Sequence, residues 1–213
     1  MTSRRLLTAI ALCICGTTSL QAAGNTAHGG ELAITCMGCH GIEGYRNGYP
    51  SYRVPRLGGQ KPDYIVSSLQ DYKNQNRAHP TMHAQAATLS DQDMQDIAAF
   101  FAGQGEPAAG AARSGGSLAA GSEKSAVCAA CHGEAGISPT PVWPNLAGQH
   151  ADYLVQALHE YQNGERKHPV MTAQAAPLKK DDIKLIAAYY AAQPGLFRVR
   201  YAEPRKPEAA GKQ

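Results

Sequence analysis

Two stretches of the chain carry apolar residues at helical spacing. Met94, Ile97, Ala98 and Phe101 recur at i, i+3, i+4 and i+7, and Ile183, Ile186, Ala187 and Tyr190 repeat the pattern. Each predicts a helix with an apolar stripe facing a core. Ser90 with Asp93 resembles a capping box ahead of the first stripe, whereas Lys179 stands in the equivalent place ahead of the second and predicts a weaker or shifted cap. Two middle helices are predicted to start at Asp63 and Asp152, as N-caps, and to run to about Gln75 and Asn163. Shorter helices run into Cys36–His40 and Cys128–His132. The N-terminus has a different pattern: Arg4 and Arg5, an apolar run from Leu6 to about Leu20, then Ala22 and Ala23. That pattern predicts an export signal over residues 1–22, cleaved near Ala22. The run is too short, and too soon followed by polar sequence, for a spanning helix. A retained anchor giving peripheral membrane association is the alternative.

The helices belong to one module written twice. Leu57-Gly-Gly-Gln60 matches Leu146-Ala-Gly-Gln149, and His79-Pro80-Thr81-Met82 matches His168-Pro169-Val170-Met171, both at an offset of 89 positions. Ala84-Gln85-Ala86-Ala87 and Ala173-Gln174-Ala175-Ala176 follow in the same register. Cys36 and Cys128 are offset by 92, so the first copy holds three extra residues in the loop between Gly41 and Arg56, where insertion is tolerated. The predicted organisation is therefore all-α: domain 1 over 23–103, a Gly/Ala/Pro-rich linker over 104–116, domain 2 over 117–201 and a disordered tail over 202–213.

Six cysteines occur, but Cys13 and Cys15 lie in the leader. An exported chain left with Cys36, Cys39, Cys128 and Cys131 has no spare thiol for a disulfide framework. Charge changes the picture little. Residues 23–105 carry six basic and seven acidic side chains, and residues 106–213 carry twelve and ten. No concentrated basic face is visible, which argues against nucleic-acid binding. The mild asymmetry suits encounters with charged partners.

The chemistry lies in Cys36-Met-Gly-Cys39-His40 and Cys128-Ala-Ala-Cys131-His132. On a helix, thiols at i and i+3 and an imidazole at i+4 share one face, so the thiols can bond the vinyl groups of a haem while the imidazole binds its iron. A tetrahedral zinc site needs four ligands, and no further cysteine pair or H-x3-5-H completes one. Two covalently bound haems c are the expected cofactors, with His40 and His132 as axial ligands. Met82 and Met171, which lie 42 and 39 residues after those histidines, are the candidates for the opposite faces. A sixth protein ligand favours electron transfer over substrate chemistry at iron. The alternative is that they are core methionines. His79 and His168 precede proline and are expected to mark an extended loop presenting the methionine. His83 has Thr172 as its counterpart and reads as surface, and His28, His150 and His159 have no assigned role. The carbonyls of Pro55 and Pro144 are the candidates to hold the second nitrogen of each axial histidine.

With CMGCHG and CAACHG, PRLGGQ and PNLAGQ, and RAHPTM and RKHPVM assembled, the chain resembles the class I cytochromes c, and specifically the two-haem cytochrome c4 type. The resemblance spans about Gly29 to Gln193. It implies two tandem all-α cytochrome c domains and a periplasmic electron carrier, not an enzyme, working toward a terminal oxidase from an upstream cytochrome or dehydrogenase complex. Alternatives are the cytochrome subunit of a sulfide-oxidising flavocytochrome c and, from another class, a dihaem peroxidase. Arg56 where the second copy has Asn145 departs from the repeat, as does the three-residue insertion.

Overall fold

The computed structural model describes residues 24–200. The expected leader and the tail from 202 onward lie outside the described residues. In the first lobe, α1 (Thr26–Leu32) and α2 (Ile34–His40) lead into a long loop, followed by α3 (Pro62–Lys73), α4 (Pro80–Ala86) and α5 (Asp91–Ala102). The second lobe repeats this order as α6 (Ala119–Lys124), α7 (Ala126–His132), α8 (Ala151–Asn163), α9 (Pro169–Ala175) and α10 (Lys180–Ala192), with a short 3-10 turn at Gly116–Leu118 ahead of it. Among the described residues there is no strand, only isolated bridges.

Both stripes face a core as their periodicity requires. Met94, Ile97, Ala98 and Phe101 of α5 are buried, as are Ile183, Ile186, Ala187 and Tyr190 of α10. α1 and α3 pack on α5, and α6 and α8 pack on α10. The capping box of Ser90 and Asp93 forms, while Lys179 gives no side-chain cap. Asp63 and Asp152 are not the caps. Lys61 and His150 hold those positions without a side-chain bond, and the aspartates fall in the first turn, where their charge meets the positive end of the helix.

The helix leading to each cysteine motif is broken once. At Ser125 the hydroxyl donates back to the Gly121 carbonyl at 2.6 Å, a bond that competes with the helical ladder; Ala33 is the equivalent joint in the first lobe. Gly29 and Gly121 also match at the offset of the cysteines. A Cβ at Gly29 would strike the Asp96 carbonyl, and one at Gly121 the Leu185 carbonyl, so these glycines let α1 and α6 cross their partner helices at backbone distance.

Below the repeat, the lobes differ. His28 Nδ1 pairs with the buried Asp96 carboxylate at 2.7 Å, tying α1 to α5. The hydrogen bond from His28, then those from the Asn25 amide and Gln92, hold Asp96 below the ordinary carboxylate range, and the same bond to Asp96 raises His28. After α10 the chain returns to the first lobe. Leu196 still bonds the second lobe at the Ala147 carbonyl (2.7 Å), after which Phe197 exchanges two bonds with Gly58 (3.0 and 3.1 Å) and Val199 is buried in the first core. The linker is docked too, with Arg113 N–H on Gln193 Oε1 at 2.7 Å and Gln193 Nε2 on the Arg113 carbonyl at 2.9 Å.

Two outcomes follow. Gly121→Ala should destabilise the second lobe by about 1–3 kcal/mol, read by denaturant unfolding. His28→Ala should cost most stability around pH 5 to 6. The pair's contribution is lost below that window as Asp96 protonates, and above it as His28 passes its raised value and deprotonates, so unfolding midpoints of the variant and the parent should converge at both ends.

Candidate functional site

Each cysteine motif ends a seven-residue helix, α2 or α7, placing the two thiols and the imidazole on one helical face. All four thiols are free and half-buried. Cys36 and Met82 pack against the same core cluster of the first lobe, and Cys128 against that of the second. Burial pushes the Cys36 and Cys128 thiols up. Among the described residues no group of three or more His, Cys, Asp and Glu gathers, so the motifs are not assembled into a protein-only tetrahedral site.

The imidazoles are held as the repeat suggested. His40 Nδ1 lies 2.8 Å from the Pro55 carbonyl and His132 Nδ1 lies 2.9 Å from that of Pro144. A carbonyl only accepts, so Nδ1 carries the proton in each ring and Nε2 keeps its lone pair. Burial lowers both imidazole pKa values and keeps the rings neutral, the form that binds a metal.

The methionines are presented differently from expectation. Met82 and Met171 lie on the first turns of α4 and α9, not on an extended loop. His79 and His168 are the N-caps. Their Nδ1 atoms accept from the Met82 and Met171 amides at 3.2 and 3.3 Å, and proline fills the first helical position, where its missing N–H costs nothing. The His-Pro-x-Met pattern is thus a helix start that fixes the methionine backbone. The two rings stand edge-on to Tyr72 and Tyr161 at 6.1 and 6.5 Å. His83 is half-buried with Nδ1 at 2.9 Å from the Tyr72 carbonyl, a structural contact that the surface reading missed. His150 is half-buried as well, pushed down to about 4 by burial and by Arg56 and Arg53.

Other residues of the repeated segments reach across to the opposite lobe. Among the described residues no helix of one lobe packs on a helix of the other; loops, joined by side chains from the first turns of α3 and α8, make the junction. Ala78 N–H donates to the Glu165 carbonyl and Lys167 N–H to that of Asn76, both at 2.7 Å, pairing the two loops around Arg77 and Arg166. Arg77 donates to Tyr153 Oη and Arg166 to Tyr64 Oη, each at 2.7 Å. Their guanidinium groups lie over Tyr72 and Tyr161 at 4.5 and 4.6 Å. Both arginines are buried, and among the described residues neither has a carboxylate in salt-bridge range. Buried charges require partners. A haem carries two carboxylates on its edge, so this donor set fits such a group. The loops ahead of α3 and α8 carry Gln60 and Gln149, also buried, whose amides bond to the backbone of the other lobe. Their repetition in PRLGGQ and PNLAGQ was visible in the sequence, but not that they face one another.

The inserted loop of the first lobe also crosses the junction. Arg46 and Arg53 both reach Asp152 at 3.0 Å. Asp152 is held below the ordinary carboxylate range because bonds from the Arg53 backbone and side chain outweigh the effect of burial.

The cytochrome c family model matches residues 26–104 and again 118–192. The chain is 34% identical over 200 residues to cytochrome c4 of Pseudomonas aeruginosa, covering 87% of this chain and 96% of that protein. It is 33% identical over 172 residues to a thiosulfate dehydrogenase electron acceptor of Stutzerimonas stutzeri, covering 75% and 79%. The crystal structure of reduced cytochrome c4 from Pseudomonas stutzeri superposes with a TM-score of 0.66 at 29% identity, over 80% of this chain and all of that one. A thiosulfate dehydrogenase of Marichromatium purpuratum superposes with a TM-score of 0.67 at 27% identity, over 79% of this chain and 40% of that one.

His79→Ala should remove the α4 cap and lower stability by about 1 kcal/mol, with His79→Asn restoring most of it; thermal unfolding of the two variants checks this.

Proposed function

Because the chain belongs to the cytochrome c family and carries its domain twice, as a dihaem electron-transfer cytochrome of the c4 type, we propose that Cys36, Cys39 and His40 hold one haem and Cys128, Cys131 and His132 the other, with Met82 and Met171 as the second axial ligands. Each haem, when bound, supplies an iron that gains and loses one electron between its ferric and ferrous states. The rest is the work of the chain. The cysteines would hold the group by thioether bonds, and a neutral imidazole with its tautomer set by Pro55 or Pro144 presents Nε2. The methionine, on a capped first turn, would supply the second protein ligand and so keep substrates off the metal. Arg77 and Arg166 stabilise negative charge at the junction between the lobes. The observation that most supports this reading is the pair of imidazoles held alike, 2.8 and 2.9 Å from equivalent proline carbonyls.

As an exported carrier working in the periplasm, the protein passes electrons one at a time between protein partners. Val142 and Trp143, exposed beside Pro144, and Val127, exposed beside Cys128, give the second lobe apolar surface suited to a short-lived encounter. A terminal oxidase is the proposed acceptor. A second reading makes the donor a dehydrogenase, and the relatives named as thiosulfate dehydrogenase electron acceptors favour that enzyme over a sulfide-oxidising flavoprotein. Reduction of the purified dihaem protein by each candidate donor, followed by reoxidation with membranes containing the oxidase, separates the two.

Met171→Ala should lower the potential of the second haem and open its iron to added cyanide or imidazole, while the oxidised parent shows a methionine-to-iron charge-transfer band from both haems. An unchanged potential with no ligand uptake would remove Met171 from the axial set.

A further inference from the structure

The junction between the lobes carries an arrangement that the electron-carrier reading does not use. His132 Nδ1–H donates to the Pro144 carbonyl at 2.9 Å, and the N–H at the other edge of that same peptide unit, on Asn145, donates to Gln60 Oε1 at 2.8 Å. The first lobe mirrors it: His40 Nδ1–H donates to the Pro55 carbonyl at 2.8 Å, and Arg56 N–H donates to Gln149 Oε1 at 2.9 Å. Each glutamine therefore grips the peptide that orients the histidine of the opposite lobe. The grip is two-handed, since Gln60 Nε2 donates to the Asn145 carbonyl at 3.1 Å and Gln149 Nε2 to that of Arg56 at 3.0 Å. The glutamines are themselves fixed. Both are at most 5% exposed, and each Oε1 also accepts the following amide, Lys61 or His150, at 3.0 Å. The side chains of residues 56 and 145 complete the pairing, with Asn145 Nδ2 on the Gly59 carbonyl at 2.8 Å and Arg56 on that of Gly148.

We propose that Gln60 and Gln149 are positioning residues for the axial histidine of the other lobe, so that each haem's potential is set partly from across the junction. This rests on the axial roles of His40 and His132 proposed above. The physical route is polarisation through one amide. A peptide whose N–H is bonded has a more negative carbonyl oxygen, and a stronger acceptor draws the Nδ1 proton and makes the imidazole a more basic ligand. A more basic ligand favours the ferric ion and lowers the potential. Removing the glutamine acceptor reverses each step.

The test is redox titration of the full dihaem protein with the two haems resolved spectroscopically. Gln60→Met, which keeps side-chain volume and removes the amide, should raise the midpoint of the haem bound by His132 and leave that of His40 in place; Gln149→Met should do the opposite. Gln60→Asn, which withdraws the acceptor by one methylene, should give a smaller shift of the same sign and stands in if Gln60→Met does not fold. Tyr52→Leu, which removes the cross-lobe ring contact with Tyr153 (centroids 6.3 Å apart) outside this relay without changing charge, should leave both midpoints unmoved. The proposal is overturned if each glutamine variant moves its own lobe's haem, if neither midpoint moves, or if Tyr52→Leu reproduces the shift of Gln60→Met, which would make the glutamines docking contacts only. Paramagnetic NMR of the oxidised parent keeps the two readings apart. Hyperfine-shifted ring signals from His40 and His132 combined with unmoved midpoints sink the relay alone; absence of those signals sinks the axial assignment.

Discussion

Two peptide units, Pro55–Arg56 and Pro144–Asn145, tie the imidazole of each lobe to the docking of the other. Each is trans, so its carbonyl and its N–H point in opposite directions from one rigid plane. One edge faces an imidazole of its own lobe and the other faces a glutamine of the neighbouring lobe. Ring orientation and lobe docking are therefore properties of the same plane, and neither can shift without disturbing the other. Proline suits the carbonyl side: its fixed φ limits the chain before the peptide, and it has no N–H of its own to satisfy in a half-buried loop.

Around that shared geometry the two lobes have diverged in charge. The first lobe uses its three extra loop residues to bring Arg46 and Arg53 onto Asp152, and it receives Val199 and Arg198 from the far end of the chain, the latter paired with Glu43 at 3.0 Å. The second lobe has instead an internal net, in which Asn145 Oδ1 accepts from the Ser138 amide at 2.8 Å and the Ser138 hydroxyl lies 3.1 Å from each of the Cys131 and Thr140 carbonyls, able to donate to either. A cationic Arg56 and a neutral Asn145 thus stand at equivalent places beside the two histidine-bearing peptides. Two sites built from the same residue types consequently stand in different fields.

The buried arginines follow the same economy of parts. Arg77 and Arg166 lie two residues before the His-Pro-x-Met helix starts, so a single short segment in each lobe positions a charge at the junction, caps a helix through its histidine and sets the methionine on the first turn. A displacement of the loop pairing around residues 77 and 166 would be transmitted to both methionines, because only one or two residues separate the loops from the caps.

From the chain alone, the two apolar stripes, the duplication, the cysteine motifs and the proline carbonyls facing His40 and His132 were all legible. Each depends on local spacing: helical periodicity, the i, i+3, i+4 face of a C-x-x-C-H run, and equivalence between the two copies. Local spacing also misled where two local structures compete. Asp63 and Asp152 are good caps by type but sit inside the first turn, and His79 and His168 suggested an extended loop where they begin helices. What only the tertiary structure decided is which copy faces which. A repeat shows that Gln60 corresponds to Gln149, not that each bonds the peptide held by the other's histidine, or that residues 197–200 leave the second lobe for the first. Those relations join residues more than 80 positions apart, and they arise because buried amides and guanidinium groups must find partners wherever folding brings the chain together.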